Sequence, residues 1–140
     1  MEDVKNNKIQ TILLVEDNQM LSMVLAQMLN QLGYSSVLCA PDTASAEDHL
    51  TKHSVSFAFI DLFLGDETSI EIAKALEQKA IPFAVMSGAD ASDIPDSYQS
   101  YAFLQKPFFV EDIERVLSSE LTLRTEAIKA DKLLLKPTLS

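Results

Sequence analysis

Four sites along this sequence combine residue types that could do chemistry together: Glu16-Asp17, Asp61, Ser87 and Lys106. Each follows a short apolar run of the kind that forms a strand buried on both faces. Three carboxylates gathered in a small space raise one another's pKa values, and a divalent cation keeps them ionised. Carboxylate and carbonyl oxygens favour Mg²⁺, which prefers a phosphate oxygen as a further ligand. These residue types therefore indicate phosphoryl chemistry.

Asp61 is the candidate nucleophile of such a site. An aspartate can form a covalent acyl phosphate while a metal ion, a lysine and a hydroxyl group neutralise the charge on the transferred group. Lys106 would supply a compact positive charge, and Ser87 a hydrogen bond. Singly, Asp61 or Ser87 more often caps a turn, and a lysine more often lies in solvent. Their conjunction at four strand ends favours the functional interpretation.

The elements that must position these residues alternate between strands and helices. The strands are predicted at 9–15, 36–40, 55–61, 83–86 and 101–104. The helices are predicted at 19–32, 43–53, 69–78, 90–100 and from 111 onward, the fourth being short and loosely held. Five βα repeats with buried strands specify an α/β fold, in which helices cover both faces of a parallel sheet. The carboxyl ends of its strands share one edge, where ligands bind in such folds.

Two apolar features are assigned to the core. Apolar residues spaced by three and four predict an amphipathic first helix that ends at Gly33, and we expect all of them to face inward: Met20, Leu21, Val24, Leu25, Met28, Leu29 and Leu32. The single cysteine, Cys39, lies within the apolar run 37–40 and is interpreted as a small buried residue. No disulfide scaffold is expected.

Composition narrows the classes of function. The 140 residues suffice for about one domain. The 21 acidic and 11 basic residues give a net charge of −10, which argues against the broad phosphate contacts of direct nucleic-acid binding. The polar first residues lack the apolar core of a signal peptide, and no run is long enough to span a membrane. We therefore expect a cytoplasmic protein without a membrane partner.

The motifs as a set resemble the CheY-like receiver domain of two-component response regulators. The resemblance covers 9–121 and rests on four motifs in the family's order: Glu16-Asp17, Asp61-Leu62-Phe63-Leu64, Ser87-Gly88 and Lys106-Pro107-Phe108. It implies a flavodoxin-like (βα)5 doubly wound sheet of five parallel strands in the order 2-1-3-4-5. It also implies a phosphoprotein that is not an enzyme and that signals through contacts with other proteins.

The resemblance further implies the partners and ligands of the site. Asp61 would take a phosphoryl group from a sensor histidine kinase or a histidine phosphotransfer protein. Mg²⁺ would be held by Asp17, Asp61 and the backbone carbonyl of Phe63, and through water by Glu16. Lys106 and Ser87 would then bind the phosphoryl group.

A conformational switch is implied by the same resemblance. Ser87 would move toward the phosphoryl group while Phe103 turns inward, and the Lys106-Pro107 bond would be cis. Phosphorylation would then alter a surface built from the fourth helix, fifth strand and fifth helix, which contacts an unknown downstream protein.

Three positions depart from the family's pattern. Gly65 stands where many members have proline, and Ser69 where they often have glycine, so the loop after Asp61 is expected to have its own shape. Phe103 has no hydroxyl, which makes any inward turn purely steric. Phe63 either screens the acyl phosphate from water or packs over the loop.

Two other functions remain open from the sequence. A Mg²⁺-dependent phosphatase with an aspartyl nucleophile resembles a family that has a second acid where this chain has Phe63, which argues against it. A receiver-like interaction domain could keep the fold and never meet phosphate.

The segment 122–140 is interpreted as an extension of the fifth helix that ends in a tail. Residues Leu121, Ile128 and Leu135 recur at seven, so a coiled contact in a homodimer and the start of a further domain are alternatives.

Overall fold

A parallel five-stranded sheet forms the centre of the fold in the computed structural model, which describes residues 11–88, 96 and 101–118. Its strands are β1 (Thr11–Val15), β2 (Ser36–Ala40), β3 (Phe57–Asp61), β6 (Phe83–Ser87) and β7 (Ala102–Gln105). They lie in the order β2-β1-β3-β6-β7, and all neighbours pair in parallel. Counted in chain order within this sheet, the strands follow 2-1-3-4-5, which confirms the predicted flavodoxin-like fold.

The described helices are α1 (Gln19–Gln31), α2 (Thr43–Lys52), α3 (Ile70–Gln78) and α4 over 110–118. Asn18 and Asp42 cap the first two, since their side-chain oxygens accept hydrogen bonds from backbone amides of the first turn. Gly33 follows α1 with a φ of 102°, as expected for a helix C-cap. The predicted helix at 90–100, apart from residue 96, and the segment 122–140 lie outside the described residues.

Side chains alternate along the buried strands and form one apolar cluster on each face of the sheet. Helices α2 and α3 cover the face to which β3 contributes Ala58 and Ile60. Helices α1 and α4 cover the opposite face, to which β3 contributes Phe57 and Phe59. None of the helices in the described ranges is long and apolar enough to cross a membrane.

A short antiparallel hairpin follows β3 and was not predicted. Its strands are β4 (Phe63–Leu64) and β5 (Glu67–Thr68), joined by the two-residue turn Gly65-Asp66. Gly65 has a φ of +64°, in the left-handed region that two-residue hairpin turns use and that glycine adopts without steric cost. The Gly-Asp pair directly after the apolar Phe63-Leu64 was the sequence signal for this turn.

Two predictions of burial were wrong. In α1, Leu25 and Leu29 are buried, but Met20, Leu21 and Val24 are 75%, 40% and 41% exposed. Residue spacing fixes which side chains share a helical face, whereas neighbouring elements decide how much of that face is covered. Cys39 is exposed for a related reason, because β2 is an edge strand of the sheet and no neighbouring strand flanks its outer side.

Candidate functional site

Three carboxylates meet at the carboxyl edge of the sheet. Glu16 and Asp17 directly follow β1, and Asp61 is the last residue of the adjacent β3. One oxygen from each carboxylate lies within 4.8 Å of the others. Glu16 and Asp61 are buried, whereas Asp17 is exposed. The strand ends thus bring together acids that are far apart in the sequence, two of them largely shielded from water.

Lys106 is the cation of this cluster. Its Nζ lies 2.9 Å from Oε1 of Glu16 and 3.1 Å from Oδ1 of Asp61. It follows β7, and its backbone N–H donates to the carbonyl of Ser87, which fixes the start of its side chain beside the edge. One ammonium group therefore compensates two buried carboxylates, an arrangement that is strongly destabilised when the cation is lost.

The electrostatics of Asp61 follow from this enclosure. Burial, followed by the charge of Glu16, raises the pKa of Asp61 to about 7, although Lys106 acts in the opposite direction. Burial also disfavours the charged form of Lys106, but its hydrogen bond to Glu16 and the charge of Asp61 outweigh that effect and raise its pKa. Without a metal ion, Asp61 therefore keeps its proton to a higher pH than an aspartate in water does.

The other predicted site residues lie on β4, β6 and β7 and directly after β7. Ser87 is buried at the end of β6, where its neighbour Met86 pairs with Asp61. Phe103 in β7 is partly buried and packs against the apolar core on the face of the sheet that α2 and α3 cover. Phe63 lies in β4 and is half exposed. The Lys106-Pro107 peptide bond is cis, as expected.

Asp17 has a partner that the sequence analysis missed. Its Oδ2 accepts a hydrogen bond from the backbone N–H of Gly65, with an N···O distance of 3.0 Å. The hairpin is also tied to the start of α2, because the Thr43 hydroxyl donates to a carboxylate oxygen of Glu67. The signal for this contact in the sequence was Gly65 at a position where many family members have proline, because proline has no N–H to donate.

An apolar groove of about 360 Å³ lies beside the cluster, between α1 and the segment after β7. It is lined by Glu16, Leu21, Leu25, Lys106, Pro107 and Phe108. Four more apolar side chains near the groove are exposed, three on α1 and one directly after Phe108: Met20, Met23, Val24 and Phe109. The acidic edge is therefore bordered by exposed apolar side chains.

The donor set fits Mg²⁺. Glu16, Asp17 and Asp61 offer only hard carboxylate oxygens, and their spacing allows one ion to meet all three. No softer ligand stands in this group, and one of its acids, Asp17, is exposed to the solvent that a magnesium ion keeps in part of its coordination sphere.

Comparisons with known proteins agree with this geometry. The family model of the response regulator receiver domain matches residues 12–118. The transcriptional regulatory protein PdtaR of Mycobacterium tuberculosis is 27% identical over 106 residues, 73% of this chain and 52% of that protein. The probable C4-dicarboxylate response regulator DctR of Priestia megaterium is 23% identical over 118 residues, 80% of this chain and 52% of that protein. The chain thus spans about half the length of these curated relatives.

Solved structures give the same result. SdrG from Sphingomonas melonis Fr1 superposes with a TM-score of 0.71 at 28% identity, covering 79% of this chain and 95% of that one. The CheY-like receiver domain from Methylobacillus flagellatus gives a TM-score of 0.69 at 25% identity, over 79% and 98% of the two chains. Because the family model covers most of the sequence and contains every residue of the acidic edge, the chain belongs to the response regulator receiver domain family.

Proposed function

We propose that the chain is a phosphoacceptor receiver domain of a two-component system, phosphorylated on Asp61 in the cytoplasm by a sensor histidine kinase or a histidine phosphotransfer protein. The observation that carries this proposal is the cluster of Glu16, Asp17 and Asp61 with Lys106 at the end of β3. Within the described ranges, no other group of three or more such ligands lies close enough to hold a metal ion. The proposed boundaries of the domain are 9–121.

The chemistry requires the ionised form of Asp61. A carboxylate oxygen of Asp61 attacks phosphorus, the phosphorus–nitrogen bond of the donor phosphohistidine breaks, and the imidazole leaves with the bonding electron pair. Mg²⁺ would neutralise charge on the acids and on the phosphoryl oxygens. Asp17, Asp61 and the carbonyl of Phe63 would hold it, with Glu16 acting through water. Lys106, already 3.1 Å from Asp61, is within reach of a phosphoryl group on that residue.

The response to phosphorylation is proposed to run through Ser87 and Phe103. The hydroxyl of Ser87, buried at the next strand end, would bind a phosphoryl oxygen. The movement of Ser87 would open space into which Phe103 turns. The output surface would then comprise β7, α4 and the helix predicted between β6 and β7. The predicted span of that helix, 90–100, lies outside the described residues apart from 96.

The apolar surface of α1 supports contact with a phosphodonor protein. Met20, Leu21, Met23 and Val24 are all at least two-fifths exposed, and the groove beside them reaches Glu16 and Lys106. A helix from the donor that packs against this surface would bring a phosphohistidine to the acidic edge. Such packing buries the four side chains that α1 leaves in water.

The first experiment tests the acceptor. The protein is incubated with acetyl phosphate and Mg²⁺, and its intact mass is measured beside that of Asp61→Asn and a sample with EDTA. We expect a gain of one phosphoryl group that is absent in both controls. If the mass does not change and beryllofluoride also fails to bind, the phosphorylation proposal is wrong and an interaction domain independent of phosphate becomes the better interpretation.

A second experiment tests the donor surface. Val24→Glu places a charge on the exposed part of α1, whereas Glu71→Lys changes an exposed residue of α3 on the other side of the sheet. Both variants should accept phosphate from acetyl phosphate as the wild type does. Transfer from a histidine phosphotransfer protein that phosphorylates the wild type should slow at least tenfold in Val24→Glu alone, by the usual cost of a charge in an apolar contact.

The proposal is one of signalling, without turnover of a substrate. The position where an aspartyl phosphatase needs its second acid holds Phe63, whose ring can neither donate nor accept the leaving-group proton. Incubation with p-nitrophenyl phosphate should therefore release no p-nitrophenol above the level found with Asp61→Asn. Release that depends on Asp61 would favour a phosphatase.

A further inference from the structure

We propose that Gly65 is a positioning residue of the metal site: its backbone N–H fixes the carboxylate of Asp17, so that affinity for a divalent cation depends on the β4–β5 hairpin. The inference deepens the proposed function and rests on it for the identity of the cation site. It concerns the one acid of the cluster that Lys106 does not bind.

The three acids have different partners in the structure. Lys106 contacts Glu16 and Asp61, and both are held further by burial. Asp17 is exposed, and its Oδ2 accepts from the N–H of Gly65 at 3.0 Å. An exposed carboxylate without such a partner samples several rotamers, and a metal ion that binds it must select one. A hydrogen bond to a charged acceptor is stronger than one between neutral groups. The contact with Gly65 can therefore hold Asp17 in one rotamer before a metal ion binds.

The geometry of the hairpin directs the backbone N–H of Gly65 toward Asp17. Gly65 occupies the first turn position with a φ of +64°, and β4 pairs with β5 on either side of it. The contact between Thr43 and Glu67 ties the second strand of the hairpin to the start of α2. The first strand begins two residues after Asp61. The turn is thereby held between the segments that follow β1, β2 and β3.

Proline at position 65 would abolish the contact in two ways. It has no N–H, and its ring fixes φ near −65°, opposite in sign to the value found here. The identity of this residue therefore decides whether the loop after Asp61 restrains Asp17. Because coupling is reciprocal, a cation bound at Asp17 should also stabilise the hairpin.

The test measures Mg²⁺ affinity by isothermal titration calorimetry, without any phosphodonor, in four proteins. Gly65→Asn keeps the N–H and tolerates a positive φ. Gly65→Ala keeps the N–H at a strained φ, and a Cβ at this position meets no atom within 4 Å. Gly65→Pro loses the N–H. We expect Gly65→Asn to bind within about twofold of the wild type, Gly65→Ala to fall between, and Gly65→Pro to bind about tenfold more weakly.

A spectroscopic readout separates positioning from general damage to the loop. In ¹⁵N–¹H spectra, the Gly65 amide should shift upfield and exchange faster with solvent in Asp17→Ala than in the wild type, while amides of β6 stay unchanged. This measurement needs no substitution within the hairpin, and so it does not depend on the folding of Gly65→Pro.

Two results would overturn the inference. Equal loss of affinity in Gly65→Ala and Gly65→Pro would show that loop strain, and not the N–H, controls binding. An unchanged Gly65 amide in Asp17→Ala would show that the hydrogen bond is absent in solution. Failure of the wild type to bind Mg²⁺ at all would instead contradict the proposed function, so the two failures are distinguishable.

Discussion

Nζ of Lys106 lies 3.1 Å from Oδ1 of Asp61 and 2.9 Å from Oε1 of Glu16. One lysine thus provides the positive charge for two buried carboxylates that would otherwise repel each other without screening by water. In this structure Lys106 supplies the positive charge that offsets these two acids. The pairing makes the stability of the metal-free domain depend on Lys106.

Replacement of this lysine should therefore destabilise the metal-free domain. Lys106→Met keeps an apolar chain of similar length but leaves Glu16 and Asp61 without their cation. We expect the free energy of unfolding in urea with EDTA at pH 7.5 to fall by about 3 kcal/mol, the usual cost of breaking a buried pair. Addition of Mg²⁺ should restore part of it.

Lys52→Met is the matched control for that change. Lys52 pairs with Asp48 at 3.2 Å on the surface of α2, where both side chains are more than half exposed. Its replacement should cost about 0.5 kcal/mol or less. Equal losses in the two variants would contradict the assignment of Lys106 as the cation of the acidic edge.

Affinity for Mg²⁺ should depend on pH across neutrality. The pKa of Asp61 is raised to about 7 by burial and by Glu16, and a carboxylate must lose its proton to bind a metal ion. Between pH 8 and pH 6, calorimetry should show a Kd about tenfold weaker at the lower pH. Asp61→Asn, which cannot titrate there, should bind more weakly overall and lose most of this dependence. A wild-type Kd that is constant over this range would contradict the raised pKa.

The same raised pKa predicts how Asp61 affects stability. The folded state binds more protons than the unfolded state between about pH 4 and pH 7, so the stability of the metal-free domain falls as pH rises through this window. Asp61→Asn removes the effect. It should stabilise the metal-free protein at pH 8 by about 2 kcal/mol, which is about half of what the full shift would give because the site is partly open to solvent, and by less at pH 5. Urea unfolding with EDTA at the two pH values measures this difference.

Asp48→Asn serves as the control, because Asp48 lies on the surface of α2, where its side chain is more than half exposed and pairs with Lys52. It should change stability little at either pH. A gain in Asp61→Asn that is equal at pH 5 and pH 8 would mean that side-chain packing, and not ionisation, explains the effect.

Cys39 should react as a surface thiol. Because it is exposed on the edge strand β2, we expect Ellman's reagent to modify the native protein at a rate within about tenfold of that in urea. Cys39→Ser should change the free energy of unfolding by about 0.5 kcal/mol or less. A native thiol protected a hundredfold or more would instead favour the burial expected from the sequence.

The sequence by itself determined the order of the five parallel strands, the positions of the four described helices and the residues at the strand ends. Apolar runs and helical spacing reflect local conformational preference, which the sequence carries directly. The βα order then restricted the topology, because crossovers between parallel strands are right-handed. This was sufficient to predict that Glu16, Asp17 and Asp61 share one edge of the sheet, as they do.

Only the tertiary structure decided which groups pair and which side chains face water. Lys106 binds Glu16 and Asp61, while Asp17 binds the N–H of Gly65, and these choices depend on distances between segments up to 90 residues apart. Exposure of the α1 stripe and of Cys39 likewise depends on what neighbouring elements cover. Periodicity describes one element at a time, whereas pairing and burial arise from the packing of several.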